Sequence, residues 1–229
     1  MTITVHPDAE AVALAAAATI AAQARTAVRE RGRFVLAVSG GRTPWQMLNA
    51  LTREDVPWHD VHVVQVDERI APVGHADRNL TGLRDSLLAH VPLRSGQIHP
   101  MPVEAENLDA AVAIHEQELS EIAGSPSVLD LVHLGLGADG HTASLLPDDP
   151  ALDVTESDVA LTGEYQGRRR MTLTYPILNR SRHILWVVNG PEKAAMLARL
   201  LAGDRSIPAG RVNQTNAQLI SDRASLRHR

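Results

Sequence analysis

The chain has 229 residues, 44% of them hydrophobic, enough for one large α/β domain with a sizeable core. Its formal net charge of -5 argues against nucleic-acid binding, which usually goes with a basic, clustered face. The absence of cysteine excludes disulfides, thiolate metal sites and cysteine nucleophiles, and it fits a reducing, cytoplasmic setting.

The first predicted element is an Ala-rich helix over 8–30. Asp8 and Glu10 precede its apolar stretch and no basic segment does, so a signal peptide is not expected. Arg25, Arg29 and Arg31 follow closely, and no apolar run approaches the ~20 residues that span a bilayer, so no membrane association is expected. The strand "FVLAV" (34–38) comes next, then a helix over 44–53 with Pro44 at its first position. "VHVVQV" (61–66) reads as a strand, 79–89 as a helix, and "QIHPM" (97–101) as a strand. A helix over 107–122 opens on Asn107 as cap, carries Asp109 in its first turn and ends at Gly124. "LDLVHL" (129–134) is a strand, and "PDDPALDVTESD" is a polar surface excursion. "RMTLT" (170–174), "HILWVV" (183–188), a helix over 191–202 and "AQLI" (217–220) complete the series.

Most of these strands are almost continuously apolar, as expected when helices cover both faces. The alternation predicts an open, doubly wound, mainly parallel sheet, a Rossmann-like α/β architecture, in one domain over 1–229. In such a sheet ligands bind beyond the carboxyl ends of the strands. Four loops therefore matter: "SGGRTP" (39–44), "DER" (67–69), "GLGADGH" (135–141) and "NGPEK" (189–193).

Gly135, Gly137 and Gly140 spell a G-x-G-x-x-G after a strand, which suggests a dinucleotide site. The context argues otherwise. Pro147 stops any helix starting at His141 after about two turns. Glu156, near the spacing of the ribose-binding acid, follows no apolar strand, and the motif lies past the chain's midpoint. No nicotinamide cofactor is expected. What remains is Asp139, Gly140 and His141 at a strand mouth, on a loop expected to be rich in free N–H groups. His141 suits general acid–base work near neutral pH; the alternative is a surface histidine capping a short helix. His133, inside the strand, belongs to the core.

Ser39, Gly40 and Gly41 would present backbone N–H groups to an anion at a helix start, with Thr43 capping the helix or bonding the anion. The loop lacks a P-loop lysine and suits a phosphate monoester; an ordinary glycine turn is the alternative. Asp67 and Glu68 point to opposite sides while the strand lasts, so they form no carboxylate pair. Arg69 would reach a phosphate in the same mouth, or all three form a structural ion-pair network. Lys193 is the only lysine among 22 basic residues, in the first turn of a helix where its charge is disfavoured. A phosphate ligand would explain that placement, although one lysine must sit somewhere.

Together the four loops resemble the glucosamine-6-phosphate isomerase/6-phosphogluconolactonase superfamily. The resemblance runs from "FVLAVSGGRTP" through "VDER", "LVHLGLGADGHTASLLP" and "RMTLTYPILNRSRHILWVVNGPEKAAML" to "IPAGRV". It is similar to the lactonase branch, which has D-E-R and D-G-H-T-A-S-L where the deaminases have D-E-Y and D-G-H-I-A-F-N-E. Arg78 replaces the serine of the lactonases' serine–asparagine pair, with Asn79 kept, and "PAGRV" departs from the usual P-A-S.

The resemblance implies that His141 is the general base that activates water, and that Asp139 orients its loop. It implies that Arg69 and Lys193 hold a 6-phosphate with backbone help from Ser39, Gly40 and Gly41 and from Thr43. Asp67 and Arg170 are further substrate-contact candidates. It also implies hydrolysis of 6-phospho-D-glucono-1,5-lactone, a small sugar-phosphate substrate, with no metal; no cofactor, nucleic-acid partner or membrane partner is expected. Neither H-E-x-x-H nor a G-x-S-x-G elbow is present. The rivals are a deaminating isomerase on the same scaffold and a non-catalytic sugar-phosphate sensor. Against the sensor, no DNA-binding segment precedes residue 34. Monomer and dimer both stay open.

Overall fold

The structure, a computed structural model, describes residues 1–226. Its strands are β1 (Thr2–His6), β2 (Phe34–Val38), β3 (Val61–Gln65), β4 (Asp67–Arg69), β5 (Ile98–His99), β6 (Leu131–Leu134), β7 (Val159–Leu161), β8 (Arg170–Leu173), β9 (His183–Val188) and β10 (Ala217–Asp222). The α-helices are α1 (Ala9–Arg31), α2 (Arg42–Leu51), α3 (Asn79–Leu83), α4 (Leu108–Ala123), α5 (Tyr175–Arg180) and α6 (Ala194–Leu201). Seven strands form a wholly parallel sheet in the order β1-β10-β9-β6-β2-β3-β5. A second sheet, β4-β8-β7, is antiparallel.

Helices cover both faces of the parallel sheet. On β9, Leu185 and Val187 pack with Ile20 of α1 and Met47 of α2, while Ile184, Trp186 and Val188 pack with Leu197 and Leu200 of α6. The two-residue alternation sorts one strand into two cores. This is the doubly wound α/β arrangement that the alternation of elements predicts.

α1 corrects one expectation. Its 23 residues, with a mean hydropathy of 1.4 in the most apolar window, are long and apolar enough to cross a membrane by length and composition. Instead Val12, Ala16, Ile20 and Ala24, at helical spacing, lie fully buried in the second core. Asp8 caps this helix by accepting the Ala11 N–H at 2.9 Å, and Gly32 closes it in the left-handed conformation.

Other differences are local. α2 begins at Arg42 behind a Gly41 cap, so Pro44 is its third residue rather than its first. The helix over 79–89 becomes α3 followed by a π-helical turn over Arg84–Leu88. The helix over 191–202 opens as a 3₁₀ turn, Pro191–Lys193, before α6. "QIHPM" shrinks to the two residues of β5. The polar excursion holds a 3₁₀ turn, Pro150–Asp153, and leads into β7, while "RMTLT" enters the second sheet as β8.

Candidate active site

Because the seven strands are parallel, the loops after β2, β3, β6 and β9 open at one end of the sheet. They enclose a cleft of about 700 Å³. Ser39, Gly40, Gly41, Thr43, Asp67, Arg69, Asp139, His141, Arg170 and Lys193 all line it.

The loop after β2 departs from expectation at Ser39. Its N–H donates to Nδ1 of the buried His133 at 3.3 Å and its hydroxyl to the His133 carbonyl at 2.9 Å, so neither serves an anion. The amides of Gly40, Gly41, Arg42 and Thr43 have no partner among the described residues. Thr43 does not cap α2; its hydroxyl donates to Asn189 Oδ1 at 2.6 Å and ties this loop to the one after β9. Gly40 is held by space, since a Cβ there would run into the Asn79 side chain.

Burial pushes the His133 imidazole from 6.5 down to about 3. Below pH 6.5 the unfolded chain takes up a proton that the native state refuses, so stability falls as pH falls, by about 1.4 kcal/mol per unit until about pH 3. Between pH 6.5 and 5 this single group should therefore lower the thermal midpoint by about 4–8 °C. The His133→Asn variant keeps an acceptor for the Ser39 N–H and should flatten that part of the curve in thermal unfolding followed against pH.

The ion-pair network expected of all three "DER" residues does not form among the described residues: Glu68 alone enters an ion pair, with Arg78, while Asp67 and Arg69 line the cleft. Asp67 faces the cleft, where Oδ2 accepts the Ser144 hydroxyl at 2.6 Å. Arg69 also lines the cleft; one of its terminal nitrogens donates to the Asp77 carbonyl at 2.8 Å, and its Nε has no partner among the described residues. Glu68 points inward and is fully buried. It accepts the backbone N–H groups of Arg69, Asn79 and Leu80 at 2.7–2.8 Å and the Gln65 amide at 2.9 Å. Arg78, nearly as buried, stands 3.1 Å away as its ion-pair partner and also binds Glu104 at 2.6 Å.

The glycine-rich loop after β6 folds back on itself. Gly137 N–H donates to the His141 carbonyl at 2.8 Å, Gly140 N–H to the Gly137 carbonyl at 3.1 Å, and His141 N–H to Asp139 Oδ1 at 3.2 Å. The expectation of a loop rich in free N–H groups fails for these three. No helix follows; Thr142 and Leu145 form an isolated bridge instead. A Cβ on Gly137 would strike the imidazole of His141, which explains that glycine without any dinucleotide.

His141 Nδ1 lies 2.5 Å from Asp139 Oδ1. Burial opposes ionisation of Asp139, but the charge and N–H groups of His141 outweigh it and hold the carboxyl below its ordinary range. An ionised carboxylate only accepts hydrogen bonds, so the proton sits on Nδ1 and Nε2 is left as the basic nitrogen.

Arg170, buried on β8, donates weakly to Ser144 Oγ at 3.3 Å, and its Nε has no partner among the described residues. Lys193 closes the 3₁₀ turn just ahead of α6 and makes no salt bridge among the described residues. Tyr165 is a cleft residue that sequence reasoning missed. The hint was a Gln-Gly pair before an apolar strand, a hairpin signal that needs the second sheet to be meaningful. Among the described residues no three His, Asp or Glu side chains converge as a metal-ligand set.

A family model described as glucosamine-6-phosphate isomerases/6-phosphogluconolactonase matches residues 7–221. The chain is 39% identical over 180 residues to a 6-phosphogluconolactonase of Synechocystis sp., covering 77% of this chain and 75% of that protein. It is 35% identical over 235 residues to one from Mycobacterium tuberculosis, covering 96% and 95% respectively. The crystal structure of 6-phosphogluconolactonase from Thermotoga maritima superposes with a TM-score of 0.85 at 25% identity, covering 96% of this chain and 98% of that one. Fold, cleft and near end-to-end similarity agree: the chain belongs to the glucosamine-6-phosphate isomerase/6-phosphogluconolactonase family.

Proposed function

We propose that the chain hydrolyses 6-phospho-D-glucono-1,5-lactone to 6-phosphogluconate, the hydrolytic step of the oxidative pentose phosphate pathway. Relatives called 6-phosphogluconolactonase cover 77% to 96% of its length. The observation that carries the reading is the Asp139–His141 pair at 2.5 Å, which leaves Nε2 as a base in a cleft lined by Arg69, Arg170 and Lys193. A lactone is an activated ester, so a water deprotonated at Nε2 can attack its C1 carbon with no covalent nucleophile on the protein. The 6-phosphate is held by Lys193 and Arg69 together with the unpartnered amides at the start of α2. That remote charge positions C1 against the water. With the amides of Gly137, Gly140 and His141 engaged, charge developing on the carbonyl oxygen falls to Arg170. A cytoplasmic setting fits a cysteine-free chain whose long apolar helix packs against its own sheet.

Purified protein given freshly generated lactone should accelerate ring opening saturably above the spontaneous rate. Ammonia release from glucosamine 6-phosphate by the same preparation would favour the isomerase reading instead. Binding of sugar phosphate without turnover would favour a sensor.

A further inference from the structure

Tyr165 lies outside every motif that carries the family resemblance, yet it touches the proposed base pair from the far side. It sits on the hairpin between β7 and β8, where its N–H donates to the Arg168 carbonyl at 3.0 Å and its carbonyl accepts the Arg168 N–H at 3.2 Å. The two turn residues, Gln166 and Gly167, both have positive φ (54° and 75°), the pattern of the tight turn that matches strand twist. Arg168 ties the hairpin to the segment ahead of α3, donating to Asp77 at 2.8 Å. The hairpin is thus a braced support.

The Tyr165 hydroxyl donates to Asp139 Oδ2 at 3.2 Å, while Oδ1 of the same carboxylate takes His141 Nδ1 at 2.5 Å. Its ring stands edge-on to the imidazole with centroids 6.1 Å apart, and the Arg170 guanidinium lies 5.0 Å from its centroid. One side chain therefore contacts the orienting acid, the proposed base and the proposed oxyanion ligand.

We propose that Tyr165 is a positioning residue for lactone hydrolysis: by occupying one carboxylate oxygen of Asp139 it commits the other to His141 and fixes the imidazole for the attacking water. This rests on the functional reading above. Burial and the Asp139 charge raise the phenol above its ordinary value, so it remains a donor at neutral pH. The other charged groups that line the same cleft are Arg42 opening α2, Asp67 and Arg69 on β4, Arg170 on β8, Glu192 and Lys193 ahead of α6, and Asp222 ending β10. A Tyr165→Phe change leaves all of them in place.

Without the hydroxyl the carboxylate can rotate, and it holds the imidazolium proton more strongly. The Tyr165→Phe enzyme should lose roughly three- to tenfold in kcat with KM within twofold of wild type, the loss expected of one hydrogen bond. The acid limb of its kcat/KM profile should move to higher pH. Its thermal midpoint should stay near wild type, because the phenyl ring keeps the packing. The downfield Nδ1–H proton resonance of His141 should shift or broaden in the variant, a readout independent of turnover. Wild-type kcat with an unmoved acid limb and an unmoved resonance would overturn the proposal, as would a loss confined to KM. A wild-type protein with no lactonase activity would overturn the functional reading, and the resonance would then decide the positioning role alone.

Discussion

The His141→Ala variant is expected to lose about 10²–10⁴-fold in kcat while KM stays within a few-fold. The asymmetry follows from where binding and chemistry reside in the cleft. The phosphate is proposed to sit with Lys193, Arg69 and the start of α2, none of which bonds to His141 among the described residues. Removing the imidazole therefore leaves ground-state binding intact and takes away only the group that accepts the water's proton. A loss of that size corresponds to about 3–5 kcal/mol of transition-state stabilisation. Folding should be unaffected, because the side chain lies at the cleft surface and its loop is closed by backbone bonds from Gly137 and Gly140. Steady-state kinetics on both proteins, with thermal unfolding as the control, checks this. A variant that turned over at the wild-type rate would remove His141 from the mechanism.

How much of this site was legible in the sequence follows from the topology. Consecutive parallel strands each end in a loop at the same side of the sheet, so quoting the residues after "FVLAV", "VHVVQV", "LDLVHL" and "HILWVV" already gathers the cleft. The long helices α1 and α4 were legible too, α1 from its alanine-rich run and α4 from its Asn107 cap, because both are local signals. What stayed hidden depends on distant partners. β1 pairs with the chain's last strand, Thr2 beside Gln218, and nothing near residue 2 announces it. The second sheet joins β4 to β8 across a long stretch of chain, so neither the antiparallel placement of "RMTLT" nor the hairpin bearing Tyr165 was visible. Ser39 was misread for the same reason. Its glycine-rich neighbours suggest an open nest of amides, but the acceptor of its own N–H is His133, one strand away.

"VQVDER" is the stretch where function and stability were hardest to separate, and Glu68→Ala is expected to show the division by destabilising the protein by about 3–5 kcal/mol. For a chain of this size that lowers the thermal midpoint by roughly 6–20 °C. The carboxylate is fully buried and, among the described residues, is the sole acceptor for the amides of Asn79 and Leu80, where α3 begins. Its removal also leaves Arg78 buried with Glu104 and the Ala71 carbonyl as its remaining partners among the described residues. Replacing a buried ion pair by apolar residues of similar volume is often harmless, so the double variant Glu68→Leu/Arg78→Met separates two causes. If the charge pair alone mattered, the double variant would recover most of the loss. The backbone bonds argue that it will not, because a leucine leaves three N–H groups of Arg69, Asn79 and Leu80 without their acceptor, each worth about 1–3 kcal/mol when buried. Asn79 packs against Gly40 and donates to the Asp67 carbonyl at 2.9 Å, so loosening its backbone should loosen the cleft as well. Denaturant unfolding of the single and double variants decides between the two, and a double variant as stable as wild type would place the stabilisation in the ion pair rather than in the capped turn.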